Sequence, residues 1–135
     1  MITALDTDVL LDILIPNEKL FETSAIAIEG AARDGSLVVC DMVYAELCLH
    51  FAKPEECDAF LERNEIQMEH LTRDALFLAG RISRAYRAQG GQRSRILADF
   101  LIGSHAQCQA SRLLSRDLRF YRKLFPSLTV VDPVA

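Results

Sequence analysis

Residues 4–14, ALDTDVLLDIL, decide the interpretation of this chain. The residues before Asp6 are aliphatic and predict a short buried strand, whereas the apolar residues after it recur at helical spacing. Three aspartates, Asp6, Asp8 and Asp12, interrupt this apolar stretch. One explanation is helix capping, because Asp at a helix N-terminus accepts hydrogen bonds from free backbone N–H groups. The other is an acidic site that distant parts of the chain complete.

The composition predicts one globular domain that spans residues 1–135, since half of the 135 residues are hydrophobic. Apolar runs such as VLLDILI are too short to cross a bilayer, and no leader with a cleavage site precedes the first predicted strand. We therefore expect a soluble cytoplasmic protein with no membrane partner. Cys40, Cys48, Cys57 and Cys108 form no C-x-x-C pair, which favours reduced, structural cysteines.

The charge is distributed unevenly along the chain. The net charge of −4 argues against a nucleic-acid partner. However, residues 1–80 hold 5 basic and 16 acidic residues, a formal charge of −11, whereas residues 81–123 hold 10 basic and 2 acidic residues, a charge of +8. This asymmetry is compatible with a polyanion partner, and equally with arginines that solvate a helix face.

Strands and helices alternate along the sequence. The predicted strands are residues 2–6, 36–41, 66–71, 112–117 (with a turn) and 128–132, and the predicted helices are residues 9–15, 17–35, 42–51, 54–64, 72–89, 94–110 and 118–125. This alternation predicts an α/β fold with a mostly parallel sheet and helices on both faces. In such a sheet the functional site lies beyond the carboxyl ends of the strands, near the switch in strand order.

Four carboxylates are placed to reach that edge. Asp6 ends the first predicted strand, Asp117 follows the short strand RLL, and Glu46 and Asp99 lie near the starts of helices. Capping could explain Asp6 and Asp117, and a solvent-facing position could explain Glu46. Asp99 lies in the apolar segment ILADFLIG, where an unpaired buried carboxylate costs several kcal/mol, unless Arg95 pairs with it.

If these carboxylates converge, their mutual repulsion requires a cation. All-oxygen sites prefer hard divalent ions, so Mg²⁺ or Mn²⁺ is indicated over zinc, and residues 6, 46 and 99 should reach a common ion. Such ions orient a phosphate and lower the pKa of a bound water. Arginines of the basic second half, among them Arg93, Arg95 and Arg116, are the candidates for binding phosphates. Metal-assisted hydrolysis of a phosphodiester is the resulting hypothesis.

Four segments of the chain, taken in order, resemble the PIN-domain family and, within it, the VapC-type toxins of bacterial toxin–antitoxin pairs. They are LDTDVLLDIL, VVCDMVYAEL, RILADFLIGSHA and RLLSRDLRFYRKLFPSLTVVDP. The resemblance implies a three-layer α/β/α sandwich. It also implies that Asp6, Glu46 and Asp99 are the principal acidic residues around Mg²⁺ or Mn²⁺, with Asp117 completing the pocket.

The same resemblance implies supporting residues and partners. Thr7 and Ser115 match positions where small hydroxyl residues support the site, while Asp8 replaces the more usual Asn or Ser and its role stays open. The implied activity is endonucleolytic cleavage of RNA by a toxin that dimerises and that a cognate antitoxin holds inactive in a hetero-oligomer. The helices of residues 18–63 would form much of the dimer and antitoxin surface.

Two alternatives belong to other functional classes. A receiver-like signalling domain also clusters aspartates on a parallel sheet, but the helical positions of Glu46 and Asp99 do not fit it. A non-catalytic PIN-like module would bind RNA or a protein partner, yet a binding module has no need of four repelling acids. His105 lies six residues beyond Asp99 on a different helix face, so a structural role is favoured for it.

Overall fold

A computed structural model describes residues 1–16, 19–90 and 97–133. The strands are β1 (Ile2–Leu5), β2 (Ser36–Cys40), β3 (Ile66–Glu69), β4 (Arg112–Leu114) and β5 (Val130–Val131). The helices are α1 (Thr7–Leu14), α2 (Phe21–Asp34), α3 (Asp41–Cys48), α4 (Pro54–Arg63), α5 (Arg73–Ala88), α6 (Leu97–Gln109) and α7 (Leu118–Leu124).

The five strands form one parallel sheet in the order β3-β2-β1-β4-β5. The chain moves outward from β1 to β3 and then returns to β4 on the other side of β1. Right-handed crossovers therefore place α1 to α4 on one face and α5 to α7 on the other. This three-layer α/β/α arrangement confirms the predicted fold class, and the strand order reverses between β1 and β4, where a site is expected.

The central strands are buried on both faces, as is typical of parallel sheets covered by helices. Leu5 of β1, Val39 of β2 and Leu113 of β4 are all fully buried. Phe125, directly after α7, packs closely on α6, because a Cβ built on Gly103 would lie 2.4 Å from its ring. The core therefore extends to the ends of β1 and β4, where Leu5 and Leu114 are buried.

Several element boundaries differ from the prediction. The predicted helix of residues 17–35 corresponds to α2, Phe21–Asp34, and Leu20 precedes it without a side-chain cap. Residues 17 and 18 of this prediction, and residues 94–96 of the predicted helix 94–110, lie outside the described residues. Asp41 belongs to α3 and not to the preceding strand, because its carboxylate accepts the Leu71 N–H at 2.8 Å. The last strand is shorter than predicted, Val130–Val131. Pro54 lies at the start of α4, as predicted.

The cysteines carry no disulfide. Cys40 and Cys57 are buried, Cys48 is half-buried and Cys108 is exposed. The structural interpretation therefore suits the first three better than Cys108. None of the helices in the described part of the chain combines the length and apolar character needed to cross a membrane.

Candidate active site

Asp6 lies at the carboxyl edge of the sheet, between β1 and α1. Its N–H donates to the Leu114 carbonyl of β4 at 3.0 Å. Its Oδ1 accepts the Thr7 N–H at 2.7 Å, and its Oδ2 accepts the Ser115 hydroxyl at 2.7 Å. The buried carboxylate is therefore the N-cap of α1 and is also fixed from the neighbouring strand. Both explanations offered for Asp6 therefore apply, because it caps a helix and also contacts a distant part of the chain.

Asp8 adds a second carboxylate in the first turn of α1. Its Oδ2 accepts the Arg116 N–H at 3.1 Å, while its buried Oδ1 makes no hydrogen bond with any described residue. Burial raises the pKa of Asp6 to about 7, and the charge of Asp8 adds to this shift. Burial likewise raises the pKa of Asp8 to about 6. Buried Asp6 and half-buried Asp8 resist simultaneous ionisation because their charges repel, so this pair favours a proton or a cation.

Thr7 joins Asp6 to Glu46. While its N–H donates to Asp6, its hydroxyl donates to Glu46 Oε1 at 2.6 Å. Glu46 lies on α3, and this contact brings α3 against the first turn of α1. The structure therefore places Glu46, Thr7 and Asp6 side by side, although they come from two different helices.

Tyr121 connects Asp6 with Asp99. Its side chain on α7 is fully buried, and burial followed by the nearby charges of Asp6 and Asp99 raises its pKa above the ordinary range. The Tyr121 hydroxyl makes no hydrogen bond of good geometry with the described residues. Asp99, in the first turn of α6, therefore faces the same small region as Asp6. The sequence analysis missed Tyr121, because an aromatic residue on a short helix is usually only part of the core.

Asp117 is linked to Asp6 through the hydroxyl of Ser115. Ser115 Oγ donates to Asp6 and at the same time accepts the Asp117 N–H at 2.9 Å. Asp117 precedes α7, but its side chain makes no capping hydrogen bond to that helix. Capping therefore does not explain this carboxylate, and Ser115 links it to the other acids.

Arg116 forms an ion pair that the sequence analysis did not foresee. Its Nε lies 2.9 Å from Asp12 Oδ2 and its Nη2 lies 3.0 Å from Asp12 Oδ1. Asp12 is buried and also accepts the Ser24 hydroxyl at 2.7 Å. The Arg116 guanidinium is thus engaged within the protein, and its contact with a phosphate stays a prediction. Arg93 and Arg95 lie outside the described residues.

The donor chemistry of the site fits a hard cation. Carboxylate and hydroxyl oxygens line it, which suits Mg²⁺ or Mn²⁺. Within residues 1–16, 19–90 and 97–133, no three His, Cys, Asp or Glu side chains are arranged to hold a metal ion, so a common ion on residues 6, 46 and 99 stays a prediction. Mg²⁺ keeps several waters and commonly binds only one or two carboxylates directly, so a complete protein cage is unnecessary.

The histidines belong to other parts of the structure. His105 is fully buried, and its Nε2 lies 2.8 Å from Glu69 Oε1 at the end of β3. His70 Nδ1 lies 2.6 Å from Asp41 Oδ1. Both contacts tie β3 and the loop after it to neighbouring helices, which is consistent with the structural role favoured for His105.

Comparisons with known proteins agree with this geometry. A family model described as PIN domain matches residues 3–125. VapBC2 from Rickettsia felis, in a crystal structure with a promoter DNA fragment, has a chain 20% identical, with 98% of each chain covered and a TM-score of 0.74. VapBC-1 from nontypeable Haemophilus influenzae is 18% identical over the full length of both chains, with a TM-score of 0.73. FitAcB from Neisseria gonorrhoeae is 18% identical over 99% of each chain, with a TM-score of 0.70.

Comparison with curated protein sequences gave no significant match. At identities of 18–20% the solved structures show a shared fold. The family model adds a sequence match that runs from β1 through α7 and includes every acidic residue discussed above. The chain therefore belongs to the PIN domain family.

Proposed function

We propose that this protein is a Mg²⁺- or Mn²⁺-dependent endoribonuclease that acts in the cytoplasm as the toxin of a toxin–antitoxin pair. Membership of the PIN domain family supports a nuclease. The observation that carries the proposal is the pair of buried Asp6 and half-buried Asp8, whose pKa values are raised to about 7 and about 6 at the point where the strand order reverses. Such a pair is expected where a cation binds.

Asp6, Glu46 and Asp99 would hold the metal ion, with Asp117 acting through water. When bound, the ion would lower the pKa of a water molecule and stabilise charge on the leaving oxygen. The chain's own contribution is orientation, because Thr7 and Ser115 fix Asp6 from two sides.

Arg116 would also support the site through Asp8 and Asp12. Its backbone N–H holds Asp8, and its guanidinium holds Asp12. These contacts anchor α1 to the loop between β4 and α7, so that the carboxylates cannot drift apart when RNA binds. Contacts around a metal site that orient its ligands commonly contribute 10- to 100-fold to activity.

The proposed antitoxin surface lies on the opposite face from α7. A cavity of about 480 Å³ opens between α1, α2 and α4, and Phe21, Ile28 and Phe60 are among its lining residues. This cavity falls mostly within residues 18–63, the range proposed for the antitoxin and dimer surface. A toxin–antitoxin complex from Klebsiella pneumoniae is among the similar solved structures, which supports an antitoxin partner. A homodimeric toxin within a hetero-oligomer is part of the same proposal.

Purified, antitoxin-free protein incubated with total RNA tests this function directly. We expect discrete cleavage products with Mg²⁺ or Mn²⁺ and none with EDTA. The variants Asp6→Asn and Asp99→Asn should lose at least about 100-fold in cleavage rate, since even residues behind the metal ligands contribute 10- to 100-fold. Asp74→Asn is the matched control for Asp99→Asn. Like Asp99, Asp74 lies in the first turn of a helix, but it is exposed and belongs to α5, outside the acidic site.

Each outcome has a clear meaning. Metal-dependent cuts that persist in both Asn variants would refute the assigned site. A protein that binds RNA without cutting it under any metal condition would instead be the non-catalytic module. A loss of activity in Asp74→Asn equal to that in Asp99→Asn would mean that the losses report folding and not the acidic site.

A further inference from the structure

We propose that the groove between α5 and α7 binds a nucleotide that flanks the scissile phosphate of the RNA. This inference rests on the proposed nuclease function and adds a substrate subsite to it. The groove is a cavity of about 260 Å³. Its lining residues are Tyr86, Asp117, Arg119, Phe120, Lys123 and Leu124.

The groove adjoins the acidic site through Asp117. Asp117 lines the groove, and its N–H donates to Ser115 Oγ, which in turn donates to Asp6. α7 separates the two regions: Tyr121 is buried beside Asp6 and Asp99, while Arg119 on the same helix lines the groove. An RNA strand with its scissile phosphate at Asp6 would therefore place an adjacent nucleotide in the groove.

The groove offers cations for a phosphate. Arg119 and Lys123 are exposed and four residues apart, so they lie on the same face of α7. No ion pair between described residues involves either of them, whereas Arg112 and Arg116 are paired with Asp34 and Asp12. Two available cations against the single carboxylate of Asp117 give the lining an excess of positive charge, which suits a backbone phosphate.

The groove also offers aromatic rings for a base. The rings of Tyr86 and Phe120 both pack on Phe100, with centroid distances of 5.6 Å and 5.5 Å. Both residues are half-buried and line the cavity. Aromatic side chains stack on bases of single-stranded RNA with little sequence preference.

Size favours one nucleotide over a protein segment. The cavity lies slightly below the range of about 300–1,000 Å³ that is typical of sites for drug-sized ligands. A helix of a protein partner needs a longer apolar groove, such as the one between α1, α2 and α4. Aromatic rings beside two cations therefore match a base with its phosphate.

The experiment measures binding apart from cleavage. In the cleavage-deficient Asp99→Asn background, fluorescence anisotropy follows a labelled, unstructured oligoribonucleotide and, separately, labelled inorganic polyphosphate, which carries phosphates without bases. Tyr86→Ala should weaken RNA binding at least about 5-fold and leave polyphosphate binding unchanged, since stacking contributes on the order of that factor or more. Tyr86→Phe should retain RNA binding.

The phosphate side is tested with paired substitutions. Arg119→Gln combined with Lys123→Gln should weaken both ligands and reduce the slope of log K against log salt by roughly 1.4, the value for two phosphate contacts on a single strand. Arg73→Gln, which removes an exposed arginine from the far end of α5, should change neither the affinity nor the slope.

The failures of the two hypotheses are distinguishable. Wild-type cleavage of RNA combined with unchanged binding in the Tyr86 and α7 variants would overturn the groove and leave the nuclease function intact. A wild-type protein that neither binds nor cuts RNA would overturn both. Equal losses of affinity for RNA and for polyphosphate in Tyr86→Ala would exclude base stacking and overturn the subsite. Groove variants that impair an antitoxin complex but leave RNA binding unchanged would overturn it as well.

Discussion

We predict that Arg116→Ala destabilises the protein much more than Asp12→Asn, although both substitutions break the same ion pair. The two partners differ in exposure, since the Asp12 side chain is 6% exposed and that of Arg116 is 34% exposed. Removing the arginine leaves a carboxylate in the interior without its cation. Removing the carboxylate leaves a guanidinium that can turn toward water.

The magnitude follows from this asymmetry. Loss of one partner of a buried ion pair typically costs about 3–5 kcal/mol. Because Arg116 is partly exposed and Ser24 still donates to Asp12, we take a lower value of about 2–3 kcal/mol for Arg116→Ala. For a chain of this length, that corresponds to a fall in melting temperature of roughly 10 °C. Asp12→Asn keeps an acceptor for Ser24 and should cost only about 1 kcal/mol.

Urea unfolding at pH 7 of the wild type, both single variants and the double variant measures these differences. Arg116→Ala keeps the backbone N–H that Asp8 accepts, so the experiment isolates the guanidinium. The double variant should resemble Asp12→Asn, since no carboxylate is then left without a partner. A cost below about 1 kcal/mol for Arg116→Ala, or equal costs for the two single variants, would refute the reasoning.

Three further predictions use the same unfolding measurements. Gly103→Ala should cost about 1–3 kcal/mol, because its Cβ would collide with the Phe125 ring, whereas Gly80→Ala, with no neighbour within 4 Å, should stabilise α5 by about 0.5–1 kcal/mol. Tyr121→Phe should change stability by less than about 1 kcal/mol, since its buried hydroxyl lies beside Asp6 but makes no hydrogen bond of good geometry with the described residues, and a larger loss would show that it is bonded to Asp6. A carboxyl whose folded pKa is raised binds more protons in the folded state, so its ionisation lowers stability as the pH rises from the unfolded to the folded pKa. The pKa of Asp8 is raised from 3.8 to about 6 in the folded chain. In EDTA, the Asp8→Asn variant should therefore become increasingly more stable than the wild type as the pH rises between these two values. Above them, the difference in stability should level off. A constant difference across that range would contradict the raised pKa.

The fold was predictable because its signals are local. Apolar residues at strand and helix spacing indicated the alternating elements, and right-handed crossovers then restricted the sheet. The expectation that Asp6 and the residues after β4 lie at one edge followed from the rule that parallel strands end at a common edge, whereas Ser115 itself was expected only from the family resemblance. Boundaries were less accurate where a side chain bonds to a distant loop, as Asp41 does to Leu71.

The partners of individual charges were not predictable. The ion pair of Arg116 with Asp12, 104 residues away, was not predicted, because the sequence displays the charge of Arg116 but not its partner. Asp12 in VLLDILI carried a usable signal, since a carboxylate on an apolar helix face needs a cation or hydrogen bonds. However, residues 81–123 contain 10 basic residues, and only the folded geometry selects one of them.

The three aspartates of residues 4–14 are all bound by the short loop between β4 and α7, which lies more than 100 residues later in the sequence. Ser115 donates to Asp6, the Arg116 N–H donates to Asp8, and the Arg116 guanidinium pairs with Asp12. The acidic cluster can therefore form only when β4 has paired with β1, which brings together residues more than 100 positions apart. Until that pairing occurs, the carboxylates remain solvated and their mutual repulsion is screened. Because burial of Asp6 and Asp8 is the main cause of their raised pKa values, these raised values depend on the completed sheet and not on the acidic motif alone.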